Sequence, residues 1–373
     1  MRGDCFMRLS DQLTGHLQKR REAGLDIARV TAVSFVISVH FFLNNGFYNE
    51  PMRGWGMWAA GVYRWLVFTC VPLFLLITGY LKIDCVWNKK YYRGIVRILV
   101  SWLTVSGISI LFKILYFHQN ESPAAWVGQV MNFKAANYSW YIEMYIGIFL
   151  LCPFINMAVR ALDTERKYRM LLLTMIGLTF LPSLLDGWMV AGAEWNPAPN
   201  YWVALYPFTY YLLGGYLRKY PVKVPPRACF LAAGILCAVK GTVTYVTAAG
   251  ATFSDGAGGG YSDLWVAAVS LCVFWGCARM KIRSERVKRA VGLISRISLD
   301  LYLISWVFDK VFYDLFRRWL APANYWWCYF AVCVPVFLCS AGAGWLLYRW
   351  SGAVSGRLTE IRSIPGVKRF IAH

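Results

Sequence analysis

The sequence predicts an all-α membrane protein, a polytopic bundle of about ten transmembrane helices with both termini cytoplasmic. Three observations carry this expectation. The 373 residues are 58% hydrophobic and only 16% charged, whereas a soluble domain carries about 25% charge and under about 50% apolar residues. Apolar runs recur at about 20 residues, the length that crosses a ~30 Å hydrocarbon core as a helix. Lysine and arginine are distributed by connection, in alternation along the chain.

The runs fall at 24–43, 58–81, 95–117, 139–160, 169–190, 201–218, 227–249, 262–280, 297–320 and 326–350. The segment before them, 1–23, holds Arg2, Arg8, Lys19, Arg20 and Arg21 but no apolar signal core. It reads as a cytoplasmic leader and not as a removed signal peptide. The membrane domain then occupies 24–350, and a basic cytoplasmic tail, 351–373, carries Arg357, Arg362, Lys368 and Arg369. Such a tail suits an anionic membrane surface. Gly256, Gly258, Gly259 and Gly260 mark a loop, since the strand and helix of a phosphate-binding motif do not flank them.

Orientation follows from the basic residues. Connections 1–23, 82–94, 160–169, 218–227, 279–296 and 349–373 hold 29 of the 39 Lys and Arg, and the alternate connections hold 2. The first set is therefore expected in the cytoplasm. A net charge of +20 suggests nucleic acid in a soluble protein, but here it collects on one side of the membrane and fixes topology. The 11 cysteines form no C-x-x-C pair, and His16, His40, His118 and His373 lie far apart. No metal site is expected from that pattern.

An ionisable group inside a span costs at least ~2.5 kcal/mol on insertion scales, so each needs a reason. Asp26, Arg29, Arg97 and Asp300 fall in the inner half, and His40, Arg64, Lys113, Glu143, Asp186, Lys240, Asp309, Lys310 and Asp314 in the outer half. Some are expected to be structural ion pairs and several near the ends to snorkel, and nine in the outer half, of both signs, are expected to line a hydrated cavity open to the outside. Arg29 and His40 are eleven residues apart, which puts them within about 20° on one helix face and ~16 Å apart along the axis. Asp26, three residues before Arg29, is placed for a structural ion pair. Glu143 shares the depth of His40, and a carboxylate on one imidazole nitrogen raises the basicity of the other. That combination suits general-base removal of a hydroxyl proton.

These residues resemble the acyltransferase 3 family, ten-helix enzymes that acylate bacterial surface carbohydrates. Gly24-Leu25-Asp26-Ile27-Ala28-Arg29 running to His40 keeps the family's arginine, ten residues, histidine spacing. Val71–Leu81, Tyr92-Arg93 with Arg97–Val100, Ser139-Trp140-Tyr141 running to Pro153, Leu212–Leu217 and Ile297–Ile304 match later family motifs in order. Two positions depart from the pattern: the arginines are spaced Arg93-x-x-x-Arg97, and Ser305 stands where many members have histidine.

The resemblance implies transfer of an acyl group, commonly acetyl from acetyl-CoA, to a hydroxyl of a carbohydrate acceptor, lipid-linked or assembled, at the bacterial cytoplasmic membrane. Acyl-CoA enters as a co-substrate, with no permanently bound cofactor. His40 is then the base, oriented by Glu143 or another carboxylate, with direct attack by the acceptor hydroxyl and a transient acyl-histidine both open. Arg29, Arg93 and Arg97 are expected to bind the acyl donor, Arg pairing with phosphate in bidentate geometry. Trp140, Tyr141, Lys310, Arg317 and Arg318 are expected on the acceptor side. A transporter or flippase for a glycan or small solute is the rival reading, although no matching half-repeat of broken helices is visible.

Overall fold

The computed structural model describes residues 22–186, 200–255, 260–319 and 325–361. Each expected apolar run forms α-helix over most of its described part, and the described residues contain no strand. The helices are α1 Ala23–Asn44, α2 Gly54–Val67, α3 Cys70–Lys82, α4 Lys89–Phe117, α5 Pro123–Met131, α6 Trp140–Arg160 and α7 Glu165–Thr179. They continue as α8 Leu181–Asp186, α9 Tyr206–Lys219, α10 Pro226–Ala248, α11 Leu264–Ala278, α12 Glu285–Trp319 and α13 Tyr325–Ile361.

Ten spans were expected, and seven described helical segments have the length and apolar character to cross a membrane: α1, α2 with α3, α4, α6, α10, α12 and α13. The other three runs form shorter helices, α7 and α11 of 15 residues and α9 of 14. At 1.5 Å per residue these rise only ~21–23 Å, short of the ~30 Å core. Their shortness has local causes. The run containing α7 breaks before Leu181-Pro182, and α9 is preceded by a 3₁₀ turn, Asn200–Leu205.

Prolines account for two further irregularities. A proline lacks an N–H and its ring clashes with the carbonyl four residues back. Pro72 sets that point at Phe68, where the second span breaks between α2 and α3. Pro153 lies inside α6 and releases the Phe149 carbonyl, which accepts instead from the Tyr91 hydroxyl at 2.7 Å. Tyr91 thereby ties α4 to α6. Asn88 starts α4 as an N-cap, its side chain accepting from Tyr91 N at 2.7 Å, and Asp263 does the same for α11 through Trp265 N.

α1 is the central helix, packed against α2, α3, α11, α12 and α13. This placement explains why its polar side chains face protein and not lipid. α3 and α9 approach closely because Gly79 and Gly214 face each other's backbone. A Cβ at Gly79 would fall on the Tyr211 carbonyl, and one at Gly214 on the Leu76 carbonyl.

Described parts of several connections rich in Lys and Arg meet at one end of the bundle. There Glu22, ahead of α1, pairs with Arg218 of α9 at 2.7 Å and accepts from Tyr80 of α3 at 3.4 Å. Asn156 of α6, fully buried, donates to the carbonyls of Lys82 and Cys85 at 2.7 and 2.9 Å and accepts from Tyr211 at 2.8 Å. At the opposite end Trp58 and Trp65 donate to Thr242 and Thr244 of α10, and Pro51 bridges to Thr252.

Of the outer ionisable residues, His40 lines the cavity described below, while several others are paired elsewhere. Arg64 pairs with Asp255 at 2.6 Å, Lys240 with Asp263 at 3.0 Å, and Lys113 donates to Gln129 at 2.9 Å. These are buttresses between helices and loops. The side chain of Asp186 lies outside the described residues.

Candidate active site

A cavity of about 630 Å³ opens beside α1. Helical spacing selects its wall: Arg29, Val36, His40 and Leu43 from α1, Cys70, Phe74 and Ile77 from α3, and Ser295, Ser298 and Tyr302 from α12. Each set repeats at three, four or seven residues, so each forms a single stripe. α4 adds Gly94, Arg97 and Ile98, α6 adds Trp140, Tyr141 and Tyr145, and α13 adds Tyr348.

His40 sits toward the end away from the basic connections, 8% exposed. Its Nδ1 lies 3.2 Å from Oδ2 of Asp309 on α12, whose side chain is fully buried. The contact is at ion-pair distance without the alignment of a hydrogen bond. Tyr138, in the turn before α6, stacks on the imidazole with ring centroids 3.6 Å apart. Its hydroxyl donates to the same Asp309 Oδ2 at 2.7 Å, and its backbone carbonyl accepts from the Tyr302 hydroxyl. Asn44 closes the local turn by donating to the His40 carbonyl at 2.8 Å.

Three arginines line the other part of the cavity: Arg29, Arg97 and Arg296. Arg97 pairs with Asp300 at 3.1 Å and lies 3.9 Å over the ring of Tyr348. Ser101 donates to the second oxygen of Asp300 at 2.7 Å. Asp26 is buried and accepts from Ser295 at 2.6 Å. Near the His40 end, Phe68, Tyr261 and Trp140 stack in series, with centroids 4.5 and 5.8 Å apart. The Arg64 guanidinium lies 4.0 Å over Phe68 at the start of that series, and Trp140 at its end remains 40% exposed.

The structure thus brings together Arg29, His40, Arg97, Trp140 and Tyr141 of the residues expected from sequence. Glu143 is exposed on α6 and outside the cavity, so the carboxylate beside His40 is Asp309 and the expected His40–Glu143 pair is corrected. The reason is azimuth. Glu143 is two residues from Tyr141 and two from Tyr145, on the far side of the helix from both, and of the cavity-lining residues of α6 it neighbours only the half-exposed Trp140. Arg93 is likewise exposed and does not line the cavity. Lys310 lies behind His40, donating to Asn44 at 3.3 Å. Arg317 and Arg318 belong to the last turn of α12, and their side chains lie outside the described residues. Sequence reasoning missed Tyr138, Tyr261, Arg296 and Tyr302, and saw Asp309 only as an outer-half carboxylate. Among the described residues no group of three or more His, Cys, Asp or Glu gathers in metal-binding geometry.

A bundle of membrane-length helices around an imidazole–carboxylate pair and a set of guanidinium groups has the build of an integral-membrane transferase. The family model of the acyltransferase domain, acyltransferase 3, matches residues 22–345, nearly the whole chain, and the protein belongs to that family. It is a membrane acyltransferase. No curated protein and no solved structure matches it.

Proposed function

We propose that the protein moves an acyl group, acetyl in the first instance, from cytoplasmic acyl-CoA to a hydroxyl of a cell-surface glycan or its lipid-linked precursor, in the bacterial cytoplasmic membrane. One observation carries the reading: His40, with its buried carboxylate, lines the same cavity as Arg29, Arg97 and Arg296. The volume is in the ~300–1,000 Å³ range of small-molecule sites. On the positive-inside rule the basic end faces the cytoplasm and both termini lie there, so the arginines meet the anionic donor first.

In this reading the donor phosphates dock against the arginine-lined part and the thioester arm extends toward His40, about 16 Å along α1 from Arg29. With Asp309 at Nδ1, the Nε2 nitrogen is the one that takes the proton of the acceptor hydroxyl. The hydroxyl oxygen bonds to the thioester carbonyl carbon, the C–S bond breaks, and the imidazolium returns its proton to the departing thiolate. Asp309 stabilises the imidazolium between those two transfers. Trp140, with its open ring face, and Tyr141 supply an aromatic surface for a sugar ring.

The test is acyl transfer by the purified protein in lipid nanodiscs, followed as acceptor-dependent thiol release from labelled acetyl-CoA. The expected result is release that His40→Ala abolishes while the variant keeps its fold. Full transfer by His40→Ala would sink the proposal. Mass analysis of the surface glycan from cells with and without the protein should show a difference of one acyl group.

A further inference from the structure

Tyr138 makes three contacts that no motif suggests. Its ring covers one face of the His40 imidazole at 3.6 Å. Its hydroxyl donates at 2.7 Å to Asp309 Oδ2, the same oxygen that lies 3.2 Å from His40 Nδ1. Its carbonyl is held by Tyr302. Meanwhile the other oxygen, Asp309 Oδ1, is buried with no hydrogen-bond partner among the described residues. A carboxylate kept only for structure gains most by filling both oxygens, since an unsatisfied buried acceptor is costly. Here two groups converge on one oxygen and the second is left open.

We propose that Tyr138 is a positioning residue that sets the basicity and orientation of His40 through Asp309. This rests on the reading of His40 as the base. The stacked ring limits rotation of the imidazole. The hydroxyl withdraws part of the Asp309 charge by donating to it, and so moderates how strongly Asp309 draws a proton onto His40. The other titratable groups facing this pair are Tyr313 on α12 and Cys333 on α13, both within electrostatic range of Asp309, and Tyr302 beside Tyr138. Lys310 approaches through Asn44. All four stay unchanged in the test.

Tyr138→Phe keeps the ring and removes the hydroxyl, so Asp309 holds its full charge against the imidazole. The acid limb of the kcat–pH profile is expected to move up by about half a pH unit or more. Tyr138→Leu also removes the stack and is expected to lower kcat by roughly 10- to 100-fold. The KM for acetyl-CoA stays within about twofold, because Tyr138 stacks on His40, about 16 Å along α1 from Arg29. An acid limb in Tyr138→Phe that stays in place, or moves down, overturns the proposal. NMR titration of ¹³C-labelled histidine, with His40 assigned by its loss in His40→Gln, reads the same shift without activity, so an inactive variant still decides. His40→Ala is assayed beside them. If it transfers acyl groups at full rate the base reading fails and takes this one with it. If it is inactive and the Tyr138→Phe limb does not rise, only the role of Tyr138 fails.

Discussion

α12 carries two fully buried carboxylates, Asp300 and Asp309, and they are treated in opposite ways. Asp300 has both oxygens filled, one by Arg97 and one by Ser101. Asp309 has one oxygen shared by Tyr138 and His40 and the other without a hydrogen bond among the described residues. Nine residues separate them, so they point about 180° apart, one toward α4 and one toward α1. The first arrangement is that of a structural tie, complete in itself. The second leaves one oxygen over and sets the other against His40.

The contrast can be broken by substitution. Asp309→Asn should lower kcat by about 10²–10³-fold, within the range of general-base contributions, with little loss of thermal stability. A stability loss matching the activity loss would erase the distinction. Arg97→Ala should cost stability as well as donor affinity, because Arg97 also lines the cavity, and it leaves Asp300 buried with Ser101 as its remaining partner. Breaking such a pair costs about 3 kcal/mol, read as a lowered unfolding midpoint in detergent. Adding Asp300→Ala to it should restore part of that stability, because no uncompensated charge remains. Arg296→Ala, which removes one lining guanidinium, should raise the KM for acetyl-CoA roughly tenfold with kcat nearly unchanged. Glu143→Gln should change kcat by less than about twofold, since its side chain is exposed away from the cavity. A large effect there would return Glu143 to the site.

Much of this architecture is legible in the sequence because hydropathy and helical spacing act within one segment. Arg29 and His40 could be assigned to one face from their separation alone, and both line the cavity. The partner of His40 could not be assigned in that way. Depth in the membrane places Glu143 and Asp309 alike and says nothing of which helices touch. One signal was present all the same. Tyr302 lies within the motif Ile297–Ile304. Asp309 lies seven residues after Tyr302, about 20° from its line around α12, so the motif ending in Ile304 points to it. Tyr138 belongs to a turn, where no periodicity operates, and only the tertiary fold delivers its ring to His40. The short helices also escaped composition, because an apolar run does not disclose where its helix will start and stop, as at the 3₁₀ turn before α9 and the N-cap Asp263 of α11.

The stretch of α1 between Arg29 and His40 is unbroken helix, and this makes it a ruler. Its length is set by backbone hydrogen bonds at ~1.5 Å per residue, so no side-chain substitution can lengthen or shorten it. Changes of donor or acceptor among related enzymes must be absorbed by the walls contributed by α3, α4, α6 and α12. Insertion or deletion of a single residue in that interval would alter the span only slightly but would turn His40 by about 100°, away from Asp309 and Tyr138. The interval tolerates altered chemistry along its other faces and no change of length.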